Sequence, residues 1–190
     1  ACGAAHAQPA AADAPRVLRY AFPVAETGFD PAQISDLYSR TVIAGIIEAP
    51  LVFDFLARPF KMKPNTLVAM PQISEDFRTF TFQLKPGIHF ADDPAFKGAR
   101  RELVAQDYVY SLKRHYDPRW NSPNLYRLEA VKILGLSELR QQVLKDKQPF
   151  PYDREVEGLR ALDRYTFQVK LAEPAPRFHQ EVMTDAGNFG

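Results

Sequence analysis

The side chains that most often carry chemistry are few in this sequence, and they form no familiar catalytic or metal-binding pattern. The cysteine and histidine residues are Cys2, His6, His89, His115 and His179. No two histidines stand three or four residues apart, and a single cysteine has no second thiolate with which to share a zinc ion. We therefore predict no metal site.

Carboxylates offer one arrangement that resembles an acid–base pair, at Asp92 and Asp93. These residues precede a proline in a polar segment, where adjacent carboxylates are typical of a solvated turn. The basic pair Arg100 and Arg101 is interpreted as surface charge, and there is no G-x-S-x-G, Walker or G-x-G-x-x-G motif. Binding without bond chemistry is the favoured function, and an enzyme that uses Asp92, Asp93 or Asp107 is the rival interpretation.

The elements that must position a binding site are clearest in the middle of the chain. Residues 79–84 alternate between polar and apolar side chains, which predicts a strand with one buried face. Residues 85–87 (Lys-Pro-Gly) predict a turn, and residues 88–90 resume the alternation, so we expect a hairpin with His89 facing solvent.

A helix is predicted over residues 104–116, where apolar side chains recur at helical spacing until Asp117 and Pro118 end it. A valine at the N-cap forfeits about 1 kcal/mol relative to serine or threonine. Asp107 is expected to favour the first turn, and His115 the last, through the helix dipole. Other periodic segments predict strands at 16–22, 51–55 and 165–171, and helices at 34–49, 138–147 and 178–183.

Composition sets broad bounds on the function. The chain has 190 residues, of which 46% are hydrophobic and 25% charged, and its net charge is +1. This balance is ordinary for a globular protein, and it gives no electrostatic reason to expect a nucleic-acid partner. No apolar run approaches the roughly 18 residues that a membrane-spanning helix needs.

Two segments carry a resemblance to a known family. They read SEDFRTFTFQLKPGIHF at residues 74–90 and VAQDYVYSLKRHYDP at residues 104–118, and a third strand-like segment at 162–174 follows them. In this order and spacing they resemble the family 5 extracellular solute-binding proteins of ABC importers, the dipeptide and oligopeptide binders. Departures are the missing Trp before residue 73 and a longer, more basic connection at 92–103.

The resemblance implies an α/β fold with the periplasmic-binding-protein type II architecture, of which this chain is the N-terminal part. Residues 1–15 are expected to form a flexible tail and a possible lipoprotein anchor region. Residues 16–47 would begin lobe I, and residues 48–190 would form the extra small α/β domain that packs on it.

The same resemblance implies a protein that captures short peptides between two lobes and delivers them to a membrane permease, with no cofactor, no enzymatic activity and no nucleic-acid partner. A different solute (a nickel chelate, haem, an opine or a sugar) and a sensor domain outside transport are the alternatives. The residues implied to reach the ligand are Ser35, Asp36, Leu37, Asn124, Leu125 and Tyr126. For the first three, the alternative is a helix N-terminal turn.

Localisation follows from the same family. The pair Ala1 and Cys2 resembles the end of a bacterial lipobox, in which the cysteine is lipidated, and the alternative is a processing remnant with an idle thiol. We expect a periplasmic protein, or one anchored to the outside of the membrane through Cys2.

Overall fold

The computed structural model describes residues 17–190, and the predictions for the tail and for Cys2 lie outside this part of the chain. Its strands are β1 (Leu51–Phe53), β2 (Met62–Pro64), β3 (Gln72–Ile73), β4 (Thr79–Gln83), β5 (Leu159–Ala161) and β6 (Thr166–Lys170). Its α-helices are α1 (Leu37–Ile43), α2 (Ala105–Tyr116), α3 (Leu125–Ala130), α4 (Leu136–Asp146) and α5 (Phe178–Glu181).

The larger sheet has the antiparallel order β3-β4-β6-β5, and α2 packs on it. The alternation of β4 is confirmed, because Phe80 and Phe82 are buried while Thr79 and Thr81 are only partly covered. In the register with β6, Phe82 lies opposite Phe167, and their rings stack with centroids 4.7 Å apart. This central strand pair therefore anchors the core.

The hairpin predicted from residues 79–90 is wrong. Both edges of β4 are occupied, by β3 on one side and β6 on the other, so residues 88–90 cannot pair with it. They pair instead with the later connection, where His89 forms a bridge with Glu102. The Glu102 side chain also accepts a hydrogen bond from the Gly87 amide at 2.7 Å, which draws the turn toward that connection. His89 is exposed, as predicted.

The first predicted strand is also wrong within the described residues. Residues 17–22 form no strand, and Val17, Leu18 and Tyr20 are exposed. A strand needs a partner for its backbone amides and carbonyls, and this segment forms no bridge with any strand of the described structure. Helix α1 is shorter than predicted and occupies only Leu37–Ile43.

The bounds of α2 agree closely with the predicted helix, and the prediction fails only for the role of His115 in the last turn. Val104 is the N-cap with extended backbone, and Asp107 accepts a hydrogen bond from the Val104 amide at 2.8 Å. His115 was expected to favour the helix dipole as a cation, and this is wrong. It is buried, its Nδ1 lies 2.8 Å from the Ser122 hydroxyl, and burial lowers the pKa of His115 to about 4.

The second sheet is a small antiparallel hairpin formed by β1 and β2, with Leu51 opposite Pro64. Leu51 is buried in the same core as the larger sheet, and its amide donates to the carbonyl of Met183 at 3.0 Å. Val52, Phe53 and Met62 are half-buried, whereas Phe55, Leu56 and residues 58–61 at the far end are exposed. The base of the hairpin is therefore fixed and its far end projects.

Candidate functional site

The first segment predicted to reach a ligand forms the start of α1. Asp36 is the N-cap, and its carboxylate accepts hydrogen bonds from the Ser39 amide at 2.8 Å and from the Thr27 hydroxyl at 2.5 Å. Hydrogen bonds from Ser39 and Thr27 to the charged form lower the pKa of Asp36 to about 2. The Asp36 carboxylate is thus occupied within the chain. Ser35 is exposed, and Leu37 is 69% exposed.

The second predicted segment begins α3, and its three residues have different environments. Asn124 is buried and donates through Nδ2 to the carbonyls of Ile34, at 3.1 Å, and Pro31, at 3.3 Å. Leu125 packs partly against the core, whereas Tyr126 is 70% exposed. Asn124 therefore joins the two predicted segments by bonding to the chain itself.

Asp185, Arg40 and Arg127 form a charged cluster that links the two segments and that no sequence pattern predicts. Asp185 accepts from Arg40 of α1 at 2.6 Å and from Arg127 of α3 at 2.7 Å. Burial would raise the pKa of Asp185, but hydrogen bonds and the charges of Arg127 and Arg40 outweigh it, so that pKa lies below its usual value. Sequence patterns have no local signal for this cluster, because Arg40 and Asp185 are 145 positions apart.

A concave surface of about 900 Å³ lies beside α1. Leu37 contributes to it, together with Arg40, one wall of the β1–β2 hairpin, and the turn at 184–187. Tyr126 instead lines a separate groove of about 440 Å³. The two exposed predicted side chains therefore open onto different concave surfaces, and their contact with a ligand stays a prediction.

Two of the three carboxylates considered for catalysis have structural partners. Asp93 accepts from the Ala95 amide at 2.8 Å, and Asp107 caps α2 and pairs with Arg101. Asp92 is exposed. Over residues 17–190, no group of three or more histidine, cysteine, aspartate or glutamate side chains could hold a metal ion, and no helix is long and apolar enough to cross a membrane.

The chain is similar to peptide-binding proteins that are about three times its length. The periplasmic oligopeptide-binding protein OppA of Escherichia coli is 30% identical over 151 residues, which cover 80% of this chain and 24% of that protein. The probable di/tripeptide-binding protein 5 of Pseudomonas aeruginosa is 32% identical over 141 residues, covering 73% of this chain and 26% of that protein. The chain thus spans about a quarter of the length of these relatives.

Solved structures show the same fold. OppA of Haemophilus influenzae in complex with RPPGFSPFR matches with a TM-score of 0.65 at 23% identity, over 85% of this chain and 28% of that one. The murein tripeptide-binding protein MppA of Escherichia coli matches with a TM-score of 0.63 at 25% identity, over the same shares. The predicted type II architecture is confirmed, for the part of it that this chain spans.

A family model that matches most of the chain identifies its family. The model described as bacterial extracellular solute-binding proteins, family 5 middle, matches residues 61–188, more than half of the chain. The segments that carried the resemblance, at 74–90 and 104–118, lie inside this match. The chain therefore belongs to the bacterial extracellular solute-binding proteins of family 5.

Proposed function

We propose that this chain is part of the solute-binding component of an ABC importer, which captures short peptides between two lobes and delivers them to a membrane permease. The observation that carries the proposal is the family membership, together with curated relatives whose names describe oligopeptide and di/tripeptide binding. Such a protein encloses its ligand by hinge closure and carries out no bond chemistry. Its location would be the periplasm, or the outer face of the membrane if Cys2 is lipidated.

Within this proposal, residues 16–47 begin lobe I, and residues 48–190 form the extra domain. The ligand would meet the exposed start of α1, at Ser35 and Leu37. Tyr126 would take part only if the ligand also reached the separate groove that it lines. Support for this choice comes from exposure: Leu37 borders the concave surface beside α1, whereas Asp36 and Asn124 already bond to their own chain. Extended peptides are held by main-chain hydrogen bonds with pockets for their side chains, which suits such a concave surface.

The test is native mass spectrometry of the complete product of the gene, purified from its own host. A series of co-purified short peptides is the expected result, and it would also define the range of peptide lengths. A single bound mass, such as a metal chelate, a tetrapyrrole, an opine or a sugar, would keep the family and overturn the peptide ligand. An empty protein that binds no peptide on titration would favour a sensor role.

A substitution at the start of α1 tests the proposed contact. Leu37→Asp in the complete protein is expected to weaken peptide binding about tenfold, because a charge replaces an apolar contact. The change should be tolerated by the fold, since an acidic residue is favourable in the first turn of a helix. Leu162→Asp, in the exposed turn between β5 and β6, is the control, because it also replaces an exposed leucine without opposing a helix dipole. Equal affinities for the two variants would remove Leu37 from the site.

A further inference from the structure

The β1–β2 hairpin ends in a tip, residues 54–61, that exposes three large apolar side chains. Phe55 is 90% exposed, Leu56 is 91% exposed and Phe60 is 70% exposed. Single exposed apolar residues are common, but a contiguous group rimmed by polar residues marks an interaction surface. The tip is therefore a candidate contact with something outside the described structure.

The tip is held in place by its own hydrogen bonds. The Asp54 amide donates to the Lys61 carbonyl at 2.8 Å, and the Asp54 carboxylate accepts from the Leu56 amide at 3.1 Å. The Arg58 guanidinium donates to the carbonyls of Phe55, at 3.1 Å, and Ala57, at 2.8 Å. These bonds present the apolar side chains in one arrangement, which reduces the conformational entropy that docking would cost.

The charge around the tip is basic. Arg58, Lys61 and Lys63 lie within six positions, and none of them pairs with a carboxylate anywhere in residues 17–190. The only acidic residue of the tip, Asp54, bonds to a backbone amide. Since the whole chain has a net charge of +1, the hairpin carries a local excess of positive charge. An anionic surface is the electrostatic complement of such a tip.

We propose that this hairpin tip docks the protein onto the surface of an anionic lipid bilayer. Phe55 and Leu56 would enter the interface, and Arg58, Lys61 and Lys63 would meet the headgroup phosphates. Apolar side chains combined with basic residues are the composition that binds bilayer interfaces. A projecting apex favours a bilayer over a protein partner, because a specific protein contact needs a broad complementary surface.

Docking of the tip would also affect the position of the concave surface beside α1. Phe55 and Leu56 also form one rim of the concave surface that Leu37 borders. A tip inserted in the interface would hold that surface close to the bilayer. The inference does not depend on which solute the protein binds, so its test can be made without a ligand.

The test uses the complete product of the gene carrying Cys2→Ser, so that acylation cannot anchor it, in cosedimentation with vesicles. We expect binding to phosphatidylcholine vesicles that contain phosphatidylglycerol. Binding to phosphatidylcholine alone should be roughly a hundredfold weaker, from about fivefold for each of three basic residues. The double variant F55S/L56S should lose at least about tenfold in binding to the anionic vesicles, whereas L144S, also exposed, should bind as before.

A second measurement tests directly whether the tip enters the bilayer. In the Phe55→Trp protein, brominated acyl chains should quench the fluorescence that the substitution adds to that of the parent protein, whereas the parent's own fluorescence, including that of Trp120 outside the tip, should change little. The proposal is overturned if F55S/L56S binds as well as the parent, or if neither vesicle binds the parent protein. Binding that requires the permease in the vesicle would assign the tip to a protein partner. If the emission of the tryptophan introduced by Phe55→Trp is already blue-shifted without vesicles, another part of the polypeptide covers the tip.

Discussion

At the residue scale, two of the positions expected to touch a ligand are engaged within the chain. Asn124 bonds to two carbonyls of the segment before α1, and Asp36 caps that helix. Buried polar groups are costly when unpaired, so such bonds decide how the two segments sit against each other. In the proposed function, the ligand would therefore meet the exposed side chains beside them and not their polar atoms.

Asn124→Ala is expected to lower the free energy of unfolding by about 2 kcal/mol, because it leaves the Pro31 and Ile34 carbonyls without their donor. Urea unfolding of this chain measures the change. Gln141→Ala, at an exposed position of α4, is the control and should change the stability little. A loss at Asn124 no larger than the loss at Gln141 would show that these bonds do not hold the segment.

His115 makes stability depend on pH. In the unfolded chain, the imidazole of His115 binds a proton below about pH 6.5. In the folded protein, the buried imidazole binds a proton only below about pH 4. The unfolded state therefore binds more protons in this window, and stability falls as the pH is lowered through it. The full effect is up to about 3 kcal/mol at roughly 1.4 kcal/mol per pKa unit.

His115→Gln should flatten this pH dependence, as measured by urea unfolding at pH values across the window. His89→Gln, the same exchange at an exposed position, is the control. Burial also lowers the pKa of His179, so a smaller slope of the same sign should remain. An unchanged slope in His115→Gln would contradict the assignment.

At the element scale, α2 is the helix that the sequence indicates best and the one that covers the sheet. Its N-terminus has half of a capping box, in which Asp107 accepts from the Val104 amide while the valine side chain accepts nothing in return. The backbone of Val104 already has the extended conformation of an N-cap, with φ −127° and ψ 164°. A hydroxyl at this position would find an amide of the first turn within reach.

Val104→Thr is therefore expected to raise the free energy of unfolding by about 1 kcal/mol. Val109→Thr, within the buried face of the same helix, is the comparison and should lower it, because it buries a hydroxyl in the core. Both changes can be measured by thermal or urea unfolding. A destabilising Val104→Thr would mean that the methyl groups of the valine matter more than the missing cap.

At the scale of the whole molecule, the chain spans about a quarter of the length of its curated relatives. Its described part has one continuous core, which includes Leu51 of the small sheet, Phe82 of the large sheet and Phe189 near the last residue. The fold is thus held together by contacts within the chain. A binding cleft between two lobes, by contrast, needs surfaces from both lobes.

The 190-residue chain alone is expected to bind short peptides weakly or not at all. In the proposed function, half of the contacts come from a second lobe, and a ligand held from one side buries too little surface for strong binding. Isothermal titration of the chain and of the complete gene product with the same peptides makes the comparison. Micromolar binding by the chain alone would contradict a two-lobed cleft.

The sequence by itself determined the family, the fold class and the strongest elements. Alternation in β4 and β6 and helical spacing in α2 are local patterns, and side chains that repeat with the period of an element predict it without any partner. The motifs at 74–90 and 104–118 identified the family because they lie within these well-patterned elements.

Only the tertiary structure decided which strands pair, which polar groups are buried and where the concave surfaces lie. β4 pairs with β3, which directly precedes it, and with β6, which comes from a distant part of the chain. The burial of His115 follows from helix packing, and the arginine partners of Asp185 lie on α1 and α3. Such contacts join residues that are far apart in the chain, and no local pattern records them.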